Sequence, residues 1–193
     1  MPLIEKYDAV NDSLFRKARD IIFSDNFPWY YVAATAYTEN VDQYETLYNG
    51  SFYHLARNSE IANTLEDCLL VAADRAGVAV NKIHRIRIGM IPICPVVSVN
   101  PPHVDMEFPH NVGLLYMNDS DGHTHLYNEK YDCNYEKNHS GQYYIEVLNK
   151  NVTIKEIILP AENKMVFFDG LTYHSSSPPT KTKRRIAVNY VFD

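Results

Sequence analysis

The stretch Lys82-Ile83-His84-Arg85-Ile86-Arg87-Ile88-Gly89-Met90 marks the point where the hydrophobic pattern of the chain changes. Three apolar residues alternate here with three residues of another kind: Ile86, Ile88 and Met90 against Arg85, Arg87 and Gly89. Successive side chains of a β-strand point to opposite faces, so a period of two predicts a strand with one apolar face. The stretch therefore opens a β-rich part of the chain.

Downstream of it, short apolar runs alternate with turn residues, as in a chain of successive strands. The predicted strands cover residues 113–117, 124–128, 143–148, 152–159, 165–168 and 186–192. Turn-forming residues separate them, for example at 118–122 and 149–151. The 15 tyrosines and 8 phenylalanines agree with this pattern, because aromatic side chains suit pleated, half-buried surfaces.

Upstream, apolar residues recur at three- and four-residue steps, which predicts two helices. One spans residues 3–22, and the other spans 61–72 with Ser59 as its N-cap and Gly77 near its end. Helices followed by many short strands indicate a mainly β fold, an antiparallel barrel or sandwich with helices flanking it. We expect one domain over 1–193, with a mostly helical support in 1–80 and the β core in 82–193.

Composition argues against several classes of protein. A net charge of −6 disfavours nucleic acid as a partner, because nucleic-acid binding leaves a basic footprint. Cys68, Cys94 and Cys133 form no CxxC pair, which argues against a disulfide framework and a thiolate zinc site. Neither a signal peptide nor a membrane span is recognisable, so we expect a cytoplasmic protein with no membrane partner. No oligomeric state is indicated.

Residues that could bind a metal occur in two places. His103 and Asp105 stand two apart after Pro101-Pro102, and on extended backbone both would point to the same side. His174 follows the predicted strand 165–168, and it becomes a third ligand if that strand packs beside His103. Two histidines and one carboxylate form the facial set of non-haem iron oxygenases. Each residue alone could equally be an ordinary turn or loop residue.

The predicted strand 186–192 is preceded by Arg185, which would share one face with Ala187 and Asn189. A guanidinium that points into a barrel is costly unless it meets an anion, and a dicarboxylate bound bidentately is the natural partner. Alternatively, Arg185 belongs with Lys181, Lys183 and Arg184 to a solvated basic turn. The sequence alone does not distinguish whether Arg184 or Arg185 would bind the anion.

These motifs together resemble the iron(II)/2-oxoglutarate oxygenase superfamily, in particular its prolyl 4-hydroxylase-like branch and small bacteriophage proteins of that type. The resemblance runs from about residue 85 to 192. It covers His103-x-Asp105, Leu114-Leu115-Tyr116-Met117-Asn118-Asp119, the Gly122 turn, Met165-Val166-Phe167-Phe168-Asp169-Gly170 before His174, and Arg185-Ile186-Ala187-Val188-Asn189-Tyr190. The chain departs from its relatives at His123, where they often have an acidic residue, and at 97–99, where many have a tyrosine.

The resemblance implies a double-stranded β-helix (jelly-roll, cupin-like) core. It implies that His103, Asp105 and His174 bind iron(II) and are catalytic, and that Arg185 and Tyr116 bind 2-oxoglutarate. Dioxygen would be the oxidant, with ascorbate as a candidate auxiliary cofactor. The implied reaction is hydroxylation of an unactivated C–H bond with release of succinate and CO2. The implied substrate is a prolyl or other peptide or protein residue, and a small molecule or nucleobase is the alternative. If the chain comes from a phage, its location is the host cytoplasm.

A rival metal motif is His123-x-His125-x3-Glu129, which has the ligand spacing of cupins. The flanking glycine and proline pattern of a cupin is missing, and no later histidine stands in a matching second motif. We therefore favour the set of His103, Asp105 and His174. A non-catalytic jelly-roll binding module is a further alternative.

Overall fold

The computed structural model describes residues 1–32, 50–56, 59–96, 98–133 and 152–193. Its N-terminal part contains β1 (Ile4–Lys6), α1 (Asp12–Ile22), β2 (Tyr30–Val32), β3 (Ser51–Leu55) and α2 (Glu60–Ala76). The following strands are β4 (Ile83–Pro92), β5 (Asn111–Tyr116), β6 (Thr124–Lys130), β7 (Ile154–Ile158), β8 (Lys164–Asp169), β9 (Thr172–Ser176) and β10 (Arg184–Phe192).

The strands form two antiparallel sheets. Within the described ranges, the large sheet has seven strands in the order β1-β8-β5-β10-β4-β3-β2, and the small sheet has the order β7-β6-β9. The predicted mainly β architecture with flanking helices is confirmed.

The large sheet buries both of its faces, each against a different layer. Leu115, Phe167 and Val188 belong to a core cluster that they share with α1 and α2. Their neighbours on the same strands, Leu114 and Ala187 among them, pack in a second cluster with Leu126 and Ile158 of the small sheet. The alternation read from the sequence thus separates a helix-facing side from a side that faces the small sheet.

Helix boundaries follow from their cap residues. The side chain of Asn11 accepts a hydrogen bond from the amide of Leu14 at 3.0 Å, so α1 begins at Asp12. Ser59 is the N-cap of α2, as predicted, although its side chain makes no capping bond. Gly77 ends α2 with φ of 66°, a left-handed conformation that glycine adopts without strain.

The prediction of a helix from residue 3 was wrong for residues 3–11, because α1 begins only at Asp12. Ile4–Lys6 forms β1 instead and pairs with the edge of β8, from Ile4 opposite Phe167 to Lys6 opposite Met165. An edge strand offers unpaired backbone groups, and pairing with it outweighs the helical spacing of so few residues. The described residues among the first 80 therefore add three strands to the large sheet besides two helices. The predicted strand 143–148 and Val97 lie outside the described residues.

Two expectations about composition can be compared with the described residues. Within these ranges, no helix combines the length and the apolar character needed to cross a membrane. Cys68, Cys94 and Cys133 form no disulfide bond in the described part of the chain, and Cys68 is buried whereas Cys133 is exposed.

Candidate active site

His103 and His174 are neighbours across an isolated antiparallel bridge next to the small sheet. The amide of each donates a hydrogen bond to the carbonyl oxygen of the other at 2.9 Å, and the ring centroids lie 4.5 Å apart. His174 lies in β9, a strand that the sequence analysis did not predict. The strand that packs beside His103 is thus the one that carries His174 itself, rather than the preceding apolar strand.

Asp105 completes a cluster with the two histidines. One ligand atom from each of the three residues lies within 4.8 Å of those from the other two. The Nε2 atom of His174 is 3.5 Å from Oδ2 of Asp105, and both side chains are almost fully buried. In the described ranges, this is the one group of histidine, cysteine and acidic residues with such spacing.

The Nδ1 atom of each histidine is engaged by the backbone two residues earlier. In His103 it lies 3.2 Å from the carbonyl oxygen of Pro101, and in His174 it lies 3.1 Å from that of Thr172. A ring that donates from Nδ1 keeps the lone pair on Nε2, which is how histidine ligands of metals are oriented. Burial, together with the charge of His174, lowers the pKa of His103 to about 4, so its neutral, ligating form prevails at neutral pH.

The Asp105 carboxylate is fixed by two residues that the sequence analysis did not assign to the site. Nη2 of Arg85 donates to Oδ1 of Asp105 and, at 3.0 Å, to Oδ1 of Asn189. Nδ2 of Asn189 donates to Oδ2 of Asp105 at 2.9 Å. Burial raises the pKa of Asp105, but His174 and Arg85 outweigh it and hold the pKa well below 3.8.

The signal for these two residues was present in the alternation of their strands. Arg85 is on the polar face of β4, opposite the side of Ile86 and Ile88, which pack in the helix-facing cluster. Asn189 shares a face of β10 with Arg185, as the sequence predicted. The sequence does not reveal that the side chains of Arg85 and Asn189 on these faces both contact Asp105.

Arg185 is buried, with 7% of its surface exposed, and forms a second polar cluster. Its Nη2 donates to Oγ1 of Thr124 at 2.6 Å, and the hydroxyl of Tyr116 donates to the same oxygen at 2.8 Å. The guanidinium lies over the Tyr116 ring, 5.5 Å from its centroid. Thr124 was also missed at the sequence level, because a lone threonine at a strand start carries no chemical signal.

The neighbouring arginine has a different environment. Arg184 is exposed, and its guanidinium lies 4.6 Å from the centre of the Phe23 ring. Arg185 alone of the two lines the cavity that contains the His–Asp–His cluster. Of the two arginines that the sequence left open, Arg185 is the buried one that lines the cavity.

A cavity of about 110 Å³ connects the two polar clusters. Its polar lining includes Arg87, His103, Asp105, Thr124, His174 and Arg185. Tyr116 is fully buried and contacts this lining from the core through its bond to Thr124. The candidate metal ligands and the buried guanidinium of Arg185 thus line the same cavity.

The donor chemistry fits iron(II) together with a dicarboxylate. Two imidazoles and one carboxylate are the facial donor set of non-haem iron sites and leave three coordination positions for other ligands. The Nε atom of Arg185 is buried without a hydrogen-bond partner in the described structure, and the groups that contact its guanidinium, Thr124 and Tyr116, are neutral. A buried cation with an unpaired donor is costly, so a carboxylate in the cavity would satisfy both charge and hydrogen bonding.

The rival motif does not assemble in this way. Both carboxylate oxygens of Glu129 accept hydrogen bonds from Thr153, one from its amide and one from its hydroxyl, each at 3.0 Å. The rings of His123 and His125 lie 6.1 Å apart. Within the described ranges these residues form no cluster with metal-ligand spacing, so the cupin-type interpretation loses its support.

Comparison with known proteins gives structural matches only. No family model matches the sequence, and no curated protein matches it. Among solved structures, an oxidoreductase of the 2OG-Fe(II) oxygenase family from Burkholderia pseudomallei is 12% identical, with a TM-score of 0.63 over 99% of this chain and 84% of that one. A prolyl hydroxylase from Trichoplax adhaerens, in complex with a peptide fragment of hypoxia inducible factor, is 13% identical, with a TM-score of 0.62 over 98% and 82%.

A third similar structure is the epimerase SnoN in complex with Fe3+, alpha ketoglutarate and nogalamycin RO. It is 10% identical, with a TM-score of 0.57 over 98% of this chain and 78% of that one. These identities establish a shared fold and nothing finer. The chain therefore has the jelly-roll fold of the iron(II)/2-oxoglutarate oxygenases, as its sequence resemblance implies, with a His–Asp–His cluster in that fold.

Proposed function

We propose that the protein is an iron(II)- and 2-oxoglutarate-dependent dioxygenase that hydroxylates an unactivated C–H bond. The observation that carries the proposal is the single cavity that contains both the His103, Asp105 and His174 cluster and the buried Arg185. The two features answer two separate needs, one for a metal and one for a dicarboxylate, and neither explains the other. A co-substrate that chelates the metal at one end and carries a carboxylate at the other needs both features in the same cavity.

In this function His103, Asp105 and His174 bind the metal on one face. Bound iron(II) supplies the redox chemistry by which one dioxygen oxidises 2-oxoglutarate to succinate and CO2 and converts a C–H bond to C–OH. The protein residues orient the ligands: the carbonyl oxygens of Pro101 and Thr172 direct the two rings, and Arg85 and Asn189 fix the carboxylate. Ascorbate is an auxiliary reductant in this proposal.

Arg185 binds the distal carboxylate of 2-oxoglutarate, assisted by Thr124 and Tyr116. The Thr124 oxygen already accepts hydrogen bonds from Arg185 and Tyr116, which leaves its own proton to donate. That proton is available to a carboxylate in the cavity that Thr124 and Arg185 line. Tyr116 then acts through Thr124, since its hydroxyl bond goes there.

The substrate we propose first is a prolyl or other residue of a peptide or protein. Support comes from the structural similarity to a prolyl hydroxylase whose structure contains a peptide. A small molecule is the second candidate, supported by the similarity to an epimerase in complex with nogalamycin RO. Both are compatible with a cytoplasmic protein that acts without a membrane or nucleic-acid partner.

The test is anaerobic binding of iron(II) and then 2-oxoglutarate, followed by succinate release when oxygen is admitted. Arg185→Ala is compared with Arg184→Ala, a matched control because the adjacent side chain is exposed. We expect slow succinate formation in the wild type and in Arg184→Ala, and its loss in Arg185→Ala. Iron binding without 2-oxoglutarate binding would indicate a cupin-type metal protein, and binding of neither would indicate a non-catalytic module.

A further inference from the structure

Arg87 is a cation of the active-site cavity to which the proposed reaction gives no role. It lies on β4, where it is in register with Asn189 of β10 on one side and Leu55 of β3 on the other. It is half-buried and lines the same cavity as His103, Asp105 and His174. Its guanidinium carbon lies 5.1 Å from the centre of the Tyr53 ring.

The guanidinium of Arg87 has no anionic partner among the described residues. The Asp105 carboxylate is instead bonded by Arg85 and Asn189 and contacts His174. An aromatic face stabilises a cation only modestly and does not replace a carboxylate. A partly buried arginine that lines a cavity and forms no direct ion pair with a described residue is therefore ready to bind an anion.

The cofactors do not provide that counter-charge. Iron(II) and the 2-oxoglutarate dianion cancel each other, and Asp105 balances one arginine. The site contains three arginines, Arg85, Arg87 and Arg185, so a positive excess persists with both cofactors bound. A further anion would reduce this excess and would be attracted to the cavity before it binds.

Arg87 and Arg185 serve different ends of the cavity. Arg185 is in register with Ile91 on β4, four residues from Arg87. At about 3.3 Å per residue, the two backbone positions are separated by about 13 Å along the strand. In the proposed function Arg185 binds the distal carboxylate of 2-oxoglutarate, and this separation leaves Arg87 without that carboxylate as a partner.

We infer that Arg87 binds an anionic group, a carboxylate or a phosphate, on the substrate that is hydroxylated. This inference rests on the proposed function and specifies the substrate class of the same site. A bidentate contact between a planar guanidinium and such a group would fix the substrate at one end and so orient one C–H bond toward the metal. For a peptide the group would be an acidic or phosphorylated side chain or a terminal carboxylate.

The electrostatics of Arg87 agree with this assignment. Burial and the charge of Arg85 lower the pKa of Arg87, while Asp105 and Tyr53 raise it. An added anion would act in the same direction as Asp105 and stabilise the protonated guanidinium.

The experiment uses calorimetric titration under anaerobic conditions of the protein loaded with Mn(II) and 2-oxoglutarate. The probes are acetate, inorganic phosphate and, as the neutral control, acetamide. The variants are Arg87→Gln, Arg87→Lys and Arg16→Gln, the last at an arginine with 75% side-chain exposure. We expect saturable binding of acetate or phosphate in the wild type and Arg16→Gln, at least tenfold weaker in Arg87→Gln, partly restored in Arg87→Lys, and no binding of acetamide.

The ratio of acetate to phosphate affinity then indicates whether the substrate carries a carboxylate or a phosphate. Equal anion binding in wild type and Arg87→Gln, or none in the wild type, would overturn the inference and leave the proposed function intact. Loss of 2-oxoglutarate binding in Arg87→Gln would also overturn it, because Arg87 would then belong to the co-substrate. If the wild type does not bind 2-oxoglutarate at all, the proposed function fails, and the same probes titrated into the Mn(II) form decide the role of Arg87. Thermal unfolding of each variant controls for folding.

Discussion

His103 and His174 are joined through their backbones: each amide donates to the carbonyl oxygen of the other at 2.9 Å. The two metal-ligand candidates therefore keep their spacing whatever their side chains bind. Their Nδ1 atoms are directed by other backbone carbonyls, so two independent sets of main-chain contacts orient the rings. Such a pair is preorganised, and its ligand function can be removed without removing the bridge that positions it.

The first prediction follows from that bridge. His174→Ala should reduce iron(II) affinity by at least 100-fold, since removal of even an outer contact of a metal ligand costs about 10–100-fold. The backbone pair persists, so the far-ultraviolet circular dichroism spectrum should not change. Anaerobic equilibrium dialysis with iron(II) measures the affinity. His123→Ala is the matched control, and a loss of affinity in that variant with none in His174→Ala would revive the cupin-type assignment.

The second prediction concerns the orientation of Asp105. In Asn189→Leu, Oδ2 of Asp105 loses the amide donor at 2.9 Å, while Oδ1 keeps Arg85. We expect iron(II) affinity to fall by about 10–100-fold, because a ligand that is free to rotate binds metal less well. Asn128→Leu removes an exposed asparagine of β6 that bonds Thr153, and it should bind iron(II) as the wild type does. Equal affinities in the two variants would show that Asn189 does not position the ligand.

The third prediction separates hydrogen bonding from shape at Thr124. Thr124→Val keeps the shape but leaves Arg185 and Tyr116 without their common acceptor, and a buried unsatisfied group costs about 1–3 kcal/mol. We expect 2-oxoglutarate to bind about tenfold more weakly or worse in this variant, with iron(II) affinity unchanged. Thr124→Ser keeps the hydroxyl and should restore most of the co-substrate affinity. Titration of 2-oxoglutarate into the Mn(II)-loaded variants measures the co-substrate affinity, and anaerobic equilibrium dialysis measures the iron(II) affinity. Binding of 2-oxoglutarate by Thr124→Val with wild-type affinity would exclude a role for the hydroxyl.

Local patterns in the sequence predicted the strands that face two layers. The pleat of a strand sets the two-residue alternation of β4 and β10, so the sequence correctly predicts which of their side chains share a face. Arg185 lies on the predicted face of β10. The stop of α2 at Gly77 is equally local, because a left-handed residue ends a helix wherever it stands. The start of α1 was missed because Ile4–Lys6 has a distant partner in β8 that no local pattern records.

The site was predictable where residue types carry chemistry by themselves. A His-x-Asp pair and a later histidine suggest a metal before any fold is known. Arg85, Asn189 and Thr124 were missed because each is chemically ordinary until the fold brings it to Asp105 or Arg185. β9 was missed because the polar run around His174 lacks the apolar alternation of a strand, and its pairing with β6 supplies the missing stability.

The last prediction concerns Asp121, which ties down the loop between His174 and Arg185. Its carboxylate accepts five hydrogen bonds from Thr180, Lys181 and Thr182. Burial raises the pKa of Asp121, but the bonds from Thr182 and Thr180 together outweigh it, and the pKa lies well below its usual 3.8. A carboxylate with a depressed pKa stabilises the fold above its unfolded pKa, near 4, and that contribution is lost as the pH falls through the folded value.

Asp121→Asn should therefore lower the free energy of unfolding by about 1 kcal/mol at neutral pH, a modest value because the group is near solvent. This corresponds to about 2–4 °C in Tm for a chain of this size. The difference from the wild type should stay constant above about pH 5 and shrink progressively below about pH 4, where the Asp121 carboxylate of the unfolded chain begins to protonate while that of the folded chain stays ionised. Urea unfolding at pH 7, 5 and 3 measures it, with Asp12→Asn as the control at a carboxylate with 83% exposure. A difference that does not shrink at low pH would mean that Asp121 acts through its shape rather than its charge.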